Sequence, residues 1–115
     1  MMIIIAGTLL LHPDDREPLL EAMGPIQAAT RSEEPGCLAY SFSADPLHPE
    51  AVLIFEHWAS AEAAEAHFVH PNIARARACI GSFRRTGGNV RKYRIDAEDA
   101  VTGADGKLTA TFAGA

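Results

Sequence analysis

Four segments of the chain carry the hydrophobic patterns typical of β-strands, at residues 2–11, 37–44, 51–58 and 90–96. The first is a short apolar run. The second alternates, which predicts Leu38, Tyr40 and Phe42 on one face of a strand. The third is apolar on both faces, with Trp58 at its end. The sequence therefore predicts a four-stranded sheet.

Between these segments the apolar positions recur every three to four residues, which indicates helices. The first predicted helix takes Asp14 or Asp15 as its N-cap and should kink or split at Gly24-Pro25. Ser60 is predicted to cap a second helix ending near residue 69, and Pro71 to begin a third ending near residue 83. The resulting order is that of the α+β ferredoxin-like split unit, β-α-β-β-α-β, with an antiparallel sheet.

Such a sheet has helices on one face only, yet the third strand is apolar on both faces. A lone subunit would leave an apolar patch larger than soluble monomers usually expose. We therefore predict a homodimer that packs sheet against sheet. The domain is expected to span residues 1–97. Residues 98–115 are expected to form a tail that is a short strand, an arm on the partner subunit or a frayed end, with a turn at 104–107.

Composition and charge narrow the class of protein. The chain has 115 residues, 48% of them apolar, and a net charge of −5, which suits a single globular domain. Seven bases and no carboxylate lie between residues 66 and 95. This segment is either a solvated helix face with a basic edge strand, or an electropositive mouth for an anionic or phenolate substrate. Nucleic acid is not an expected partner, because no aromatic residues interleave the arginines. The seven bases are Arg75, Arg77, Arg84, Arg85, Arg91, Lys92 and Arg94.

The remaining sequence signals concern location and cofactors. Cys37 and Cys79 have no metal-ligand spacing, and reduced, buried thiols are favoured over a disulfide. The N-terminal apolar run lacks the basic flank and cleavage site of a signal peptide, and no apolar run is long enough to span a membrane. We expect a cytoplasmic protein with no membrane partner, no bound cofactor and no metal.

Several motifs together resemble a known family. They are the opening strand MIIIAG, the segment EPGCLAYSFSADP, the strand end FEHW and the helix AEAAEAHFVHP. Over about residues 2–96 they are similar to the antibiotic biosynthesis monooxygenase domain, a dimeric α+β barrel of ferredoxin-like subunits. The resemblance implies a cofactor-independent monooxygenase that oxidises a small aromatic or quinol-like substrate with O₂.

The resemblance also implies site residues. Trp58 would line the substrate cavity, and His67 would act as a base or orient the resulting anion. Without the resemblance, Trp58 is explained as a core or interface residue, and a histidine on an apolar helix face such as His67 is more often a satisfied core residue. Substrate contacts are predicted for five further residues, which otherwise belong to the core, the sheet surface or the solvent face: Tyr40, Phe42, Phe55, Phe68 and Arg84.

One position departs from a branch of the family. Haem-degrading relatives carry an Asn on the first strand, and the matching residue here is Gly7. Haem degradation is therefore a lesser alternative, as is isomerisation on the same fold. The alternative from another class is a non-enzymatic ligand-binding or stress-response dimer.

Overall fold

One antiparallel sheet of four strands organises the chain in a computed structural model that describes residues 1–113, and its strands lie side by side in the order Cys37–Ala44, Ala51–Trp58, Met2–Leu11 and Arg85–Ile95. Three helices pack on it, which confirms the predicted α+β ferredoxin-like fold. The elements in chain order are β1 (Met2–Leu11), α1 (Pro13–Glu33), β2 (Cys37–Ala44), β3 (Ala51–Trp58), α2 (Ala61–Phe68), α3 (Pro71–Gly81) and β4 (Arg85–Ile95).

The register of the two central strands decides which residues face the helices. Ile3 pairs with Trp58, Ile5 with Glu56 and Leu9 with Val52. These residues share the helix-facing side of the sheet, since alternate residues point to opposite faces. The opposite side of β3 carries partly exposed apolar side chains, as the pattern predicted: Leu53 and Phe55.

The core lies between this face and the helices. Leu19 and Met23 on α1 pack with Leu11 and Val52 of the sheet, and all four are at most 1% exposed. Burial of each such side chain contributes about 1.5–3 kcal/mol relative to an exposed one.

Helix α1 differs from the sequence prediction in its start and its continuity. His12, rather than Asp14 or Asp15, is the N-cap, because its Nδ1 accepts a hydrogen bond from the Asp14 amide at 3.1 Å. The helix continues through Pro25 as one element of 21 residues. Gly24 and Pro25 are exposed on this helix. Water can therefore hydrogen-bond to the backbone carbonyl that has no N–H donor because Pro25 lacks one.

Two strands also differ from their predictions. A bulge between Cys37 and Ala39 leaves Leu38 56% exposed, so Leu38 does not share the buried face of Tyr40. β4 begins at Arg85, before the predicted start at residue 90, and includes Gly87 and Gly88. Gly88 has φ +150°, and a Cβ there would lie 2.7 Å from the Thr8 carbonyl oxygen. The close approach of β4 to β1 at this point therefore requires glycine.

The segment after β4 folds locally. Thr102 and Leu108 form an isolated bridge around a turn in which Gly106 has φ +78°. The Asp99 carboxylate accepts hydrogen bonds from the amides of Ala100 and Ala113, and these bonds lower its pKa. The short strand considered for residues 108–112 is not formed. Residues 114 and 115 of the predicted tail lie outside the described residues, and the boundary at residue 97 stays a prediction.

Two further expectations concern cysteines and membranes. Cys37 and Cys79 are free thiols, half-buried rather than buried, and burial raises the pKa of each. Within residues 1–113, none of the helices combines the length and hydrophobicity that a membrane span requires.

Candidate functional site

Trp58 and His67 stack on each other at the junction of β3 and α2. Their ring centroids are 4.5 Å apart at an interplanar angle of 28°, and neither residue is more than 1% exposed. Ser60, two residues after the end of β3, sets this geometry because it is the N-cap of α2. Its hydroxyl accepts a hydrogen bond from the Ala63 amide at 3.0 Å. The structure therefore brings these two residues together, and their roles at a substrate site stay predictions.

His67 is held by a carboxylate that the sequence analysis did not single out. Its Nδ1 donates to Oε1 of Glu34 at 2.7 Å, and Glu34 lies at the C-terminal cap of α1. The other carboxylate oxygen, Oε2, accepts from Nδ2 of Asn72 at 3.0 Å. The contacts join all three helices in one buried polar cluster and fix the orientation of the imidazole.

A second buried carboxylate lies on the other side of the imidazole. Oε1 of Glu56 accepts from the indole Nε1 of Trp58 at 3.1 Å and lies 3.9 Å from Nε2 of His67. Burial raises the pKa of Glu56, although the Trp58 hydrogen bond and His67 oppose this rise. Nε2 of His67 is buried and has no hydrogen-bond partner among the described residues. A nitrogen in this state could accept a proton from a group brought within reach.

Tyr40 closes the cluster from β2. Its ring meets the His67 imidazole edge-on, with centroids 5.4 Å apart. Burial, together with the charges of Glu56 and Glu34, raises the pKa of Tyr40 far above its ordinary value, so the phenol stays neutral.

An apolar cleft of about 400 Å³ lies beside this cluster, between α2 and the strands β1 and β4. Ile3, which lines it, pairs with Trp58 on the neighbouring strand, and Ala64, which also lines it, lies one helical turn before His67. Phe68 forms another wall, and Lys92 and Arg94 stand at the rim. The volume lies in the range of small-molecule sites.

The structure places the five predicted substrate-contact residues in different surroundings. Phe68 lines the cleft, whereas Tyr40 and Phe42 are buried in the core. Phe55 lies on the opposite face of the sheet. Arg84 binds Asp15 at 2.8 Å and borders a different cleft near the end of α3. Their roles in substrate binding stay predictions.

Three residues of the cluster escaped the sequence analysis, namely Glu34, Glu56 and Asn72. A signal was present for Glu56, since it lies two residues before Trp58 and so on the same face of an apolar strand. Glu34 and Asn72 meet only because α1 and α3 pack side by side, and no local pattern indicates that contact. No group of three or more His, Cys, Asp or Glu side chains suited to hold a metal ion occurs within residues 1–113.

Gly7 lies on the helix-facing side of β1, opposite Ile54. A Cβ at this position would lie 2.1 Å from the Asn89 carbonyl oxygen and 2.6 Å from the Val90 Cα. The backbone of β4 therefore occupies the space that the asparagine of the haem-degrading branch would need.

Comparison with known proteins identifies relatives of this chain. A solved structure from Deinococcus radiodurans, described as a candidate antibiotic biosynthesis monooxygenase, superposes with a TM-score of 0.77 at 29% identity, covering 88% of this chain and 99% of that one. A candidate of the same description from Caulobacter crescentus CB15 has a TM-score of 0.75 at 22% identity, covering 85% and 91%, and shares the fold.

A curated relative extends the comparison. An uncharacterised Synechocystis protein, sll1783, is 35% identical over 69 residues, or 60% of this chain. The match spans 46% of that protein, so this chain accounts for about half of its length. The model of the Antibiotic biosynthesis monooxygenase family matches residues 2–78. The chain belongs to the antibiotic biosynthesis monooxygenase family.

Proposed function

We propose that the protein is a cofactor-independent monooxygenase that oxidises a small aromatic or quinol-like molecule with O₂. The observation that carries the proposal is the apolar cleft next to the Trp58–His67 stack. Neither ring lines the cleft, but Ile3, which does, pairs with Trp58, and the ring of Phe68, which also does, lies 5.9 Å from that of His67. The size of the cleft suits a ring system of two or three fused rings. The family to which the chain belongs and the descriptions of its structural relatives support the same class of reaction.

In this proposal His67 acts as the base. Glu34 accepts a hydrogen bond from the N–H at Nδ1 of His67, so the neutral imidazole keeps its proton there. Nε2 is then free to take a proton from the substrate. Anthrone illustrates the balance: its methylene loses a proton, the carbanion reduces O₂ and forms a peroxide at that carbon, and loss of one water gives anthraquinone. Because the His67 side chain has no exposed surface, substrate binding must displace part of the cleft wall before Nε2 is reached.

Oxygen uptake with anthrone tests this proposal. The wild-type protein should consume one O₂ per anthrone, and His67→Ala should abolish uptake. Glu34→Gln should shift the pH profile of uptake, since the amide keeps an acceptor for Nδ1 but removes the charge. His48→Ala, in an exposed loop, is the matched control. Full activity of a folded His67→Ala variant would remove His67 from the mechanism.

The burial of Trp58 and His67 favours a second candidate, a ligand-binding dimer of the same fold without chemistry. The two rings stack on each other, and both the indole Nε1 of Trp58 and Nδ1 of His67 already have hydrogen-bond partners inside the protein, as in purely structural residues. Only Nε2 of His67 lacks one among the described residues. Tight binding of aromatic ligands without oxygen consumption would support this candidate. Conversion of a ligand under anaerobic conditions would instead indicate an isomerase.

We further propose that the functional unit is a homodimer in the cytoplasm. The face of the sheet without helices carries Leu53 and Phe55, which are 39% and 43% exposed. A second copy packed on this face would bury them.

A further inference from the structure

The rim of the cleft carries two cations on one strand. Lys92 and Arg94 lie opposite Ile5 and Ile3 in the register of β1 and β4, so their side chains leave the sheet on the face that forms the cleft. The walls below them are apolar. A molecule in the cleft would therefore meet hydrocarbon along its body and positive charge at one end.

These cations are not neutralised by the protein. Within residues 1–113, neither Lys92 nor Arg94 has a carboxylate within 4.0 Å, and neither side chain donates a hydrogen bond to another residue. Among the described residues, Glu65 is the one acid lining the cleft, and it pairs with neither of them. Some of the other bases are engaged, since Arg84 binds Asp15 and Arg75 donates to Asn72 at 2.6 Å. Lys92 and Arg94 differ from the remaining unpaired bases in that they line the apolar cleft.

We propose that the cleft selects aromatic acids: planar apolar molecules with a carboxylate or phenolate that Lys92 and Arg94 bind. A guanidinium and an ammonium side by side suit an oxyanion, and charge-assisted hydrogen bonds are about twice as strong as neutral ones. This inference rests on the proposed function only in taking the cleft as the substrate site. It makes Lys92 and Arg94 specificity-determining residues.

Calorimetric titration under anaerobic conditions, with 2-naphthoate and 2-naphthamide as probes, tests the proposal. The two probes have nearly the same shape and differ in charge. The wild-type protein should bind the naphthoate about tenfold more tightly, the gain expected from one charge-assisted contact. The double variant K92Q/R94Q should lose most of this preference and keep its affinity for the naphthamide.

The double variant R85Q/R91Q is the matched control, because it removes the same charge from the same strand and neither residue lines the cleft. It should retain the preference. If K92Q/R94Q does not fold, the wild-type protein still gives a test, since raising the salt concentration should weaken naphthoate binding and leave naphthamide binding unchanged.

Equal affinities for the two probes, no binding of the naphthoate, or an equal loss in R85Q/R91Q would overturn the proposal. The outcomes also separate it from the monooxygenase proposal. Charge-selective binding without oxygen uptake on anthrone or on any aromatic acid would reject the monooxygenase and keep this inference. Oxygen uptake on neutral anthrone, together with equal affinities for the two naphthyl probes, would keep the monooxygenase proposal and reject this inference.

Discussion

Nδ1 of His67 and Oε1 of Glu34 are 2.7 Å apart, and the two side chains are 0% and 4% exposed. An imidazole and a carboxylate that are buried this completely each need the other as a hydrogen-bond partner, because water does not reach them. Removing one partner of such a buried pair leaves the other without compensation, which usually costs about 3–5 kcal/mol. The contact also fastens α2 to the end of α1, so it stabilises the helix layer as well as the candidate site.

His67→Ala should therefore lower the free energy of unfolding by about 3 kcal/mol or more, measured by urea denaturation at pH 7. Adding Glu34→Gln to this variant should recover part of the loss, because the buried charge is then removed. His48→Ala, at an exposed position, should change the stability little. A loss of less than about 1 kcal/mol in His67→Ala would show that the pair contributes little to the fold.

Glu56 should make stability depend on pH in the opposite sense to an ordinary surface acid. Burial raises its pKa above the ordinary value of 4.5, so the folded protein holds this proton more tightly than the unfolded chain does. Stability should therefore fall as the pH rises from about 4.5 through the folded-state pKa. Glu56→Gln keeps an acceptor for Trp58 and removes the titration.

The measurement is a series of urea denaturations between pH 4 and 8. The stability of Glu56→Gln relative to wild type should rise across this range, whereas exposed Glu21→Gln should show no such trend. The other ionisable side chains near Glu56 are His67, Glu34, Tyr40 and Cys37. A constant difference between Glu56→Gln and wild type would mean that Glu56 keeps an ordinary pKa.

The sequence was sufficient for the parts of the fold that depend on local patterns. The cap at Ser60 and the two faces of β3 both follow from residues close together in the chain. The Leu38 bulge and the early start of β4 did not follow. Both are set by how a neighbouring strand is paired, and glycines in a strand resemble a turn when that partner is unknown.

The site was less accessible to sequence reasoning than the fold. The contact between Glu34 and His67 spans 33 residues and the one between Glu34 and Asn72 spans 38. In the sequence alone, each of these three residues looks like a solvated polar residue near a helix end. They form a buried cluster only because α1, α2 and α3 pack together, and no local pattern predicts that packing.

Asp15 and Arg84 connect the start of α1 to the start of β4, and this contact should be lost in acid. The Arg84 side chain and amide donate to the carboxylate and lower the pKa of Asp15 from 3.8 to about 2. The stability from this contact is present above pH 3.8 and is lost as the pH falls through about 2.

Thermal unfolding of Asp15→Asn between pH 6 and 2 checks this expectation. The variant should melt below wild type at pH 6, and the difference should shrink as the pH approaches 2. Asp14→Asn removes the adjacent exposed carboxylate and serves as the control. A difference that does not change with pH would indicate that the Asp15 charge does not contribute.

Gly7→Ala should be destabilising even though alanine is small. The new Cβ would lie 2.1 Å from the Asn89 carbonyl oxygen, so the backbone of β4 has to move. Overpacking of this kind costs about 1–3 kcal/mol. Gly81→Ala is the matched control and should be neutral or slightly stabilising. Apart from its chain neighbours and the adjoining backbone of its own helix, no atom of residues 1–113 lies within 4 Å of the added Cβ. Equal stabilities of the two variants by urea denaturation would contradict the close approach of β1 and β4 at Gly7.

Phe55→Asp should convert the proposed dimer to a monomer. Phe55 is 43% exposed on the face of the sheet without helices, and a carboxylate there would be desolvated at a sheet-to-sheet interface. Light scattering during size-exclusion chromatography should give twice the chain mass of 12.3 kDa for the wild-type protein and the chain mass for the variant. Leu47→Asp places the same charge on a loop residue that is 82% exposed and should leave the dimer intact. A wild-type protein that is monomeric at micromolar concentration would show that the exposed face of β3 is tolerated in water, and the homodimer would then be rejected.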